Sequence, residues 1–356
     1  MTKPEIILYI VEDTESAQFR YRVKNVVDAL EASSKWKAKW VLTSDFKDTD
    51  LNGVDVVVVL RQSGKDGQVL KIIEKARAKG LKVLFDLDDL IFDYRDLPIL
   101  MRGTNSKNIF YWAGYMWGIR RIAKKVDGFI ATNGFLANKL KRSFAKPCAI
   151  IPNSLNKEQV KISDELVKDK IKNKKTGFSI GYFSGSPTHK RDFGLVESEI
   201  VKFLDTHDDA VLEVVGYMEF SDKIKKLIDS GKLRVAELMD YLELQKTVSE
   251  VDVNIAPLVI NDFTNCKSEL KFFEAAAVET VTIASPSYTF KKAISDGKNG
   301  LLAKTGEWYN KLELLYGDLE KRAEMAKEAR KYALENYYGE KFLKEVEKAY
   351  DSIEKS

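Results

Sequence analysis

A chain of 356 residues is longer than one hydrophobic core usually serves, so two domains of roughly 100–200 residues each are the default. With 44% hydrophobic and 31% charged residues, the composition is that of a soluble globular protein, not a disordered or membrane-spanning one. The net charge of +4 is too small to argue for nucleic acid, and leaves room only for mild attraction to anionic lipid or phosphorylated ligands.

The first half offers strands at Glu5–Val11, Ala38–Thr43, Val54–Leu60, Leu81–Asp86, Gly128–Thr132 and Cys148–Ile151. They are rich in Val and Ile and nearly continuous in apolar character, as strands covered on both faces are. The opening run is too short for a signal peptide and is followed by Glu12 and Asp13, so a cytoplasmic protein is expected. Helical patterns fall between the strands, such as Phe19–Glu31 and Gly67–Lys79, the latter ending at Gly80 as a C-cap. This alternation predicts a parallel sheet with helices on both sides.

From Lys161 to Gly177 the chain has six lysines and three acids and little apolar material, which reads as a solvated linker or a loose surface helix. A second series of strands follows at Phe178–Phe183, Val211–Gly216, Leu233–Ala236, Val251–Ala256, Val281–Ser285 and Leu301–Ala303. Finally, Leu343, Val346, Tyr350 and Ile353 share one helical face, so the last segment should pack on something. Two successive parallel sheets predict two α/β domains, with ligands outside the carboxyl ends of the strands and a cleft between the domains as the expected site.

Four segments beyond strand ends carry chemistry. After Phe178–Phe183 comes Ser184-Gly185-Ser186-Pro187-Thr188-His189-Lys190-Arg191-Asp192. A small-residue loop entering a helix presents backbone N–H groups and a positive dipole end, and its hydroxyls and cations suit a diphosphate. The same residues also fit an ordinary turn, and they match neither a dinucleotide nor a Walker fingerprint. In Asn265 to Ala277, the residues Leu270, Phe273, Ala277 and Val278 form an apolar stripe beside Glu274. That carboxylate can accept two hydrogen bonds from a vicinal diol such as ribose, or simply be solvated.

The third segment, Asp86 to Asp93, sets Asp86, Asp88, Asp89 and Asp93 at and past a strand end. Such clusters bind metal, raise one another's pKa or bond sugar hydroxyls, and they also cap helices. Arg20, Arg22 and Arg61 follow strands in the same half and can meet phosphate or be surface cations. In the fourth, Asn108 to Lys125, aromatic residues lie beside Arg120, Arg121, Lys124 and Lys125. A membrane-surface helix shows this, and so does a core helix whose stripe is Ile109, Trp112, Met116, Ile119 and Ala123. Cys148 and Cys266, with His189 and His207, have no metal-ligand spacing.

Several segments together resemble the retaining glycosyltransferases of family 4, of bacterial surface-polysaccharide type. They are Ile151-Pro152-Asn153-Ser154, Gly181 to Asp192, Asp252 to Leu258, Lys267 to Glu274, Thr282 to Ser285 and Asp296 to Ala303. The resemblance implies the GT-B fold, two Rossmann-like doubly wound parallel-sheet domains facing a cleft. Residues 1–155 would bind the acceptor, 156–175 link, 176–335 bind the nucleotide sugar, and 336–356 form a helix packing back on the first domain.

It further implies that Glu274 holds the ribose hydroxyls and that Lys190 clamps the diphosphate. Gly185, Ser186, Thr188, His189, Lys267, Ser268, Glu269 and Leu270 would complete the donor site. Asp88 and Asp89 would act with Lys190 at the reacting centre, and Arg20, Arg22, Arg61, Asp93 and Asn153 would line the acceptor side or cleft. One departure stands out: the first glutamate of the family's motif falls at Cys266, eight residues before Glu274, and a thiol is a poor acceptor for sugar hydroxyls.

The expected activity is a metal-independent hexosyl transfer with retention, from a nucleotide-diphosphate sugar as co-substrate and with no cofactor. The acceptor would be a glycan or lipid-linked, in surface polysaccharide or glycoconjugate synthesis, at the inner face of the membrane if the aromatic segment docks there. Two other readings stay open, a nucleotide-sugar epimerase of the same fold and a degenerate transferase that stabilises a partner.

Overall fold

The computed structural model describes residues 3–65, 67–104, 106–172, 177–184, 190–216, 218 and 220–354. Among them twelve strands form two six-stranded, wholly parallel sheets. The first contains β1 (Glu5–Val11), β2 (Trp36–Leu42), β3 (Val56–Leu60), β4 (Lys82–Leu87), β5 (Gly128–Ala131) and β6 (Cys148–Ile150). Their order is β2-β1-β3-β4-β5-β6. Every residue of β3 and of β5 is buried, as expected of strands covered by helices on both faces.

The second sheet contains β7 (Phe178–Ser184), β8 (Ala210–Gly216), β9 (Leu233–Ala236), β10 (Val253–Ala256), β11 (Val281–Ala284) and β12 (Leu301–Leu302), in the order β12-β11-β10-β7-β8-β9. The chain winds outward from β7 to β9, then returns to place β10 on the other side of β7. This is the six-strand order of nucleotide-binding sheets, and its direction reverses between β7 and β10. In the first sheet the reversal falls between β1 and β3.

The chain divides into two compact units. One comprises Met1–Asn156, Asn265–Ser268 and Asn336–Ser356; the other comprises Lys157–Thr264 and Glu269–Glu335. In the first unit the last helix, Gly339–Glu354, buries Phe342, Val346, Ala349, Tyr350 and Ile353 in one core with Ile7, Tyr9, Val26 and Trp36. Its polar edge is bound as well: Trp36 Nε1 donates to Asp351 (2.9 Å), and the buried Tyr9 and Tyr350 hydroxyls lie 2.5 Å apart. The final turns are therefore part of the first unit's core.

The lysine-rich stretch after residue 156 forms the helix Lys157–Lys172, which belongs to the second unit. Lys157, Glu158, Lys161, Asp164, Glu165, Lys168 and Asp169 are exposed while Gln159 and Ser163 are fully buried, so a polar surface pattern hides an inward polar edge. Near the N-terminus, Arg20–Lys24 widen into a π-helical turn. That turn buries Tyr21, Arg22 and Val23 in succession, more than one α-helical stripe offers.

Two glycines bring the loop after β3 onto the helix Ile109–Lys125. A Cβ on Gly64 would lie 2.9 Å from the Gly118 carbonyl, and one on Gly118 would lie 2.7 Å from Ser63 Oγ. Arg121 clamps the same loop by donating to the Gly64 carbonyl (2.7 Å). Among the described residues no helix is long and apolar enough to cross a membrane.

Phe342 carries much of the last helix's burial. Phe342→Ala should destabilise the first unit by about 3–5 kcal/mol, the usual cost of emptying a buried phenylalanine site. Chemical denaturation monitored by tryptophan fluorescence would check this, and a loss below about 1 kcal/mol would mean the helix is only loosely attached.

Candidate functional site

In the second unit the strand order reverses between β7 and β10, and sheets of this kind bind ligands beyond the carboxyl ends of the strands at such a point. Four bonds order the chain there. The Val259 N–H, in the loop after β10, donates to Asp192 Oδ1 (2.9 Å), in the helix Lys190–Gly194 that follows β7. The Leu258 N–H donates to Ser285 Oγ (2.9 Å) at the end of β11. Asn261 and Thr264 bond each other reciprocally and stiffen the loop between β10 and the short helix Asp262–Asn265.

At the neighbouring strand end, Gly216 has φ +92°, and a Cβ there would fall 2.0 Å from the Ser184 carbonyl oxygen. Only glycine lets β8 close against β7 at that point. Val235, near the end of β9, and Leu238, just beyond it, are each about half exposed. Of the diphosphate residues expected from sequence, Gly185, Ser186, Thr188 and His189 lie outside the described residues. Lys190 is the first residue of the helix after β7.

The helix Leu270–Ala277 carries Glu274 and is held from every side. On β10, the buried Asn254 donates to the Lys271 carbonyl (2.9 Å) and to Thr282 on β11 (3.0 Å). Gln159 Nε2 donates to Glu274 Oε1 (3.2 Å), and Gln245 Nε2 donates to the Glu274 carbonyl (2.8 Å) and to Ser163 (3.2 Å). At the C-terminal end, Lys170 donates to the Val278 and Glu279 carbonyls (3.1 and 3.0 Å), and Arg330 donates to the Ala277 carbonyl. Cations at that end satisfy the helix's last carbonyls and complement its dipole.

Glu274 is thus a half-buried carboxylate with its orientation set by a side-chain amide and its backbone pinned. Gln159 and Gln245 were not legible as site residues, because glutamines on a charged helix give no pattern in sequence. Glu269 precedes the first turn without capping it by its side chain, and Leu270 begins the helix. Lys267 and Ser268 cluster with the first unit, where Asn133 Nδ2 donates to the Cys266 carbonyl (2.7 Å) and Asn153 Nδ2 to Ser268 Oγ (3.2 Å). The Cys266 side chain is fully buried.

In the first unit the carboxyl ends of β3 and β4 bring Arg61 to Asp88 (3.0 Å) and Asp89 (2.5 Å). Asp88 Oδ1 is buried and, though near the guanidinium, is not aligned to receive a hydrogen bond from it. Burial pushes the Asp88 carboxyl up, against the pull of Arg61. Tyr115, on the helix Ile109–Lys125, is also pushed up by burial and feels Arg61, Asp88 and Glu12. Glu12 follows β1 directly and Tyr115 sits within an aromatic run, so neither stood out from sequence. Among the described residues no group of three or more His, Cys, Asp or Glu side chains is placed to hold a metal ion.

Two residues expected on the acceptor side or cleft are committed elsewhere. Arg22 is 1% exposed: its guanidinium meets Asp86 through two 3.0 Å bonds and also donates to the Ile151 carbonyl and Asn153. A cation so enclosed is not offered to a substrate. Burial pushes the Asp86 carboxyl up to about 6, against the pull of Arg22. Asp93 caps the turn Tyr94–Asp96 and is gripped by Arg95 and Ser143; the Arg95 bond holds its carboxyl well below the usual range. Arg20 is half-buried, with its guanidinium 3.0 Å from the Tyr21 hydroxyl. Asn153 is nearly buried, between Arg22 and Ser268.

With this geometry in place, comparison with known proteins is informative. Residues 181–318, which span most of the second sheet and the Glu274 helix, match the family described as glycosyl transferases group 1. No curated protein matches the sequence. Among solved structures, sucrose-phosphate synthase from Thermosynechococcus elongatus is similar over 99% of both chains, with TM-score 0.68 and 14% identity. Anabaena HepE, solved with UDP and glucose, is similar over 99% of this chain and 100% of its own (TM-score 0.61, 12% identity). A Listeria monocytogenes structure assigned as a UDP-N-acetylglucosamine 2-epimerase is similar over 99% and 96% (TM-score 0.57, 10% identity). The chain has the GT-B fold, and the family match within it supports a glycosyltransferase.

The Arg22–Asp86 pair makes a sharp prediction. Asp86→Ala alone strands a buried guanidinium and should cost about 3–5 kcal/mol, whereas Arg22→Met with Asp86→Leu should recover most of that loss. Equal destabilisation of the single and double variants in urea titrations would contradict the pairing.

Proposed function

We propose that this protein is a glycosyltransferase that moves a sugar, with retention, from a nucleotide-diphosphate donor to a glycan or lipid-linked acceptor in bacterial surface-polysaccharide or glycoconjugate synthesis. The observation that carries the proposal is the site beyond β7 and β10 in the second unit. It lies where a nucleotide-binding sheet reverses, it is flanked by a helix bearing an oriented glutamate, and it falls inside the segment matching glycosyl transferases group 1.

In this reading the donor's ribose diol binds Glu274. One carboxylate oxygen accepts from Gln159, which fixes the orientation of the pair presented to the diol. The diphosphate meets Lys190, residues 185–189 and the N-terminus of the Leu270 helix, with Ser268 and Glu269 beside it. Those groups stabilise charge on the leaving diphosphate, the main electrostatic task of the reaction. The UDP bound by Anabaena HepE is consistent with a nucleoside diphosphate as the leaving group.

The acceptor hydroxyl is assigned to the edge of the first sheet, at Asp88 and Asp89. Asp88 Oδ1, which is buried and receives no hydrogen bond, is ready to accept from a sugar hydroxyl. Arg61 pairs with both carboxylates and offsets part of their charge, an arrangement that suits polyol recognition. No carboxylate is assigned as nucleophile, so retention would follow a same-face substitution: the anomeric carbon–phosphate oxygen bond breaks, the acceptor oxygen bonds to the same face, and the departing phosphate takes the acceptor's proton.

The likeness to the Listeria structure keeps epimerisation as a second reading. An epimerase would turn over a nucleotide sugar without acceptor and exchange a sugar C–H proton with solvent.

A thermal-shift panel with UDP, GDP, dTDP and CDP tests the donor site. A nucleotide at a hundredfold excess over its Kd stabilises by about 2.7 kcal/mol. Each kcal/mol is worth about 2–4 °C in Tm for a domain of this size. One diphosphate should shift the wild type and lose most of that shift in Glu274→Ala; the absence of any shift would sink the donor reading.

A further inference from the structure

The helix Ile109–Lys125 is covered on one side only. Met116, Gly118, Ile119, Ile122 and Ala123 are buried, while Phe110 is 87% exposed and Ile109, Tyr111 and Trp117 are each about half exposed (49%, 53% and 51%). At 3.6 residues per turn, positions seven apart share a stripe, so Phe110, Trp117 and Lys124 line up along the outer face. Its first half is apolar and its second half cationic.

The surrounding charge has one sign. From Leu97 to Val126 the sequence holds Arg102, Lys107, Arg120, Arg121, Lys124 and Lys125 and no Asp or Glu, in a chain that otherwise nearly balances 58 Lys and Arg against 54 Asp and Glu. Lys65 joins them from the loop after β3. Its ammonium lies 5.7 Å from the Tyr111 ring, and Gly114 makes room for it, since a Cβ there would come within 3.2 Å of Nζ. The Arg121 guanidinium lies 4.7 Å from the Trp117 ring centroid. In the helix's last turn Lys125 pairs with Glu74 at 2.7 Å.

Exposed aromatic rings with cations around them pay a solvation cost in water that an anionic interface removes. Rings settle at the boundary between headgroups and acyl chains, and long cationic side chains reach lipid phosphates from there. We infer that this face docks the protein on an anionic phospholipid bilayer. Phe110, Tyr111 and Trp117 enter the interface, and Lys65, Lys107 and Lys124 lie at headgroup depth. A second copy of the chain would set like charges against each other across the same face, which disfavours self-association. The inference deepens the proposed lipid-linked acceptor and rests on that reading for its purpose, while vesicle binding needs no catalysis.

The test is flotation of the full chain with vesicles of phosphatidylcholine alone or mixed with phosphatidylglycerol. The wild type should float only with the anionic vesicles and release as salt rises. Phe110→Ser with Trp117→Ser should lower partitioning at least tenfold, and Lys107→Gln and Lys124→Gln by about fivefold each. The variants' melting temperatures, measured with and without the nucleotide found in the thermal panel, establish that they remain folded. Wild type that fails to float with anionic vesicles, or folded variants that float like wild type, would overturn the inference. So would a dimer in ultracentrifugation that the serine substitutions abolish. A wild type that floats but shows no nucleotide shift keeps the docking face and removes the donor reading.

Discussion

The helix Leu270–Ala277 is eight residues long, too short to be stable by its own hydrogen bonds. Its position is imposed by neighbours. Asn254 holds the first turn to the sheet, Gln245 and Gln159 hold the middle, and Lys170 and Arg330 close the end. The helix Lys157–Lys172 supplies two of those five side chains. The reversal of strand order between β7 and β10 sets where a ligand is proposed to bind, and the bonds around this one short helix fix the position of the Glu274 carboxylate. Preorganisation of that kind spares the ligand the work of ordering the site.

The first unit uses its polar groups differently. Arg22 and Asp86 are sealed within it, and the Ile151 carbonyl and Asn153 absorb the remaining guanidinium donor. Such a pair adds little net stability over apolar residues of similar volume, but breaking it is costly. Just past Asp86, Asp88 and Asp89 pair with Arg61; all three are only partly exposed, and one carboxylate oxygen is left without a hydrogen bond. One strand end thus carries both a closed ion pair and an open one. The open one is where the proposed function places the acceptor hydroxyl.

Much of the fold was legible in sequence because parallel strands buried on both faces must be continuous apolar runs. All twelve expected strands form, with ends displaced by at most two residues, and the departures from an apolar run fall chiefly on the edge strands β2 and β9, which carry Lys37, Lys39 and Arg234. At β10 the displacement has a cause: Asp252 accepts from the Ser179 N–H and hydroxyl and pairs with Arg322, so the ladder begins at Val253. Side chains whose meaning depends on direction were less legible. Arg22 reads as a surface cation in a helical pattern, yet a π-helical turn aims it inward. Gln159 sits among lysines and acids that mark a solvated face, and nothing local shows that its own face is buried. Glu12 and Asp88 come near Tyr115 only through the order of the strands. Glu274 could be picked out because its spacing from other segments resembles a family, while composition alone leaves it ambiguous.

The central claim is that the second unit's site, organised around Glu274, holds a nucleoside diphosphate. Hydrogen-exchange mass spectrometry, with and without the nucleotide that stabilises the protein, tests it directly. Protection should concentrate in residues 184–194 and 257–277. No protection there, or protection confined to the first unit, would contradict the account.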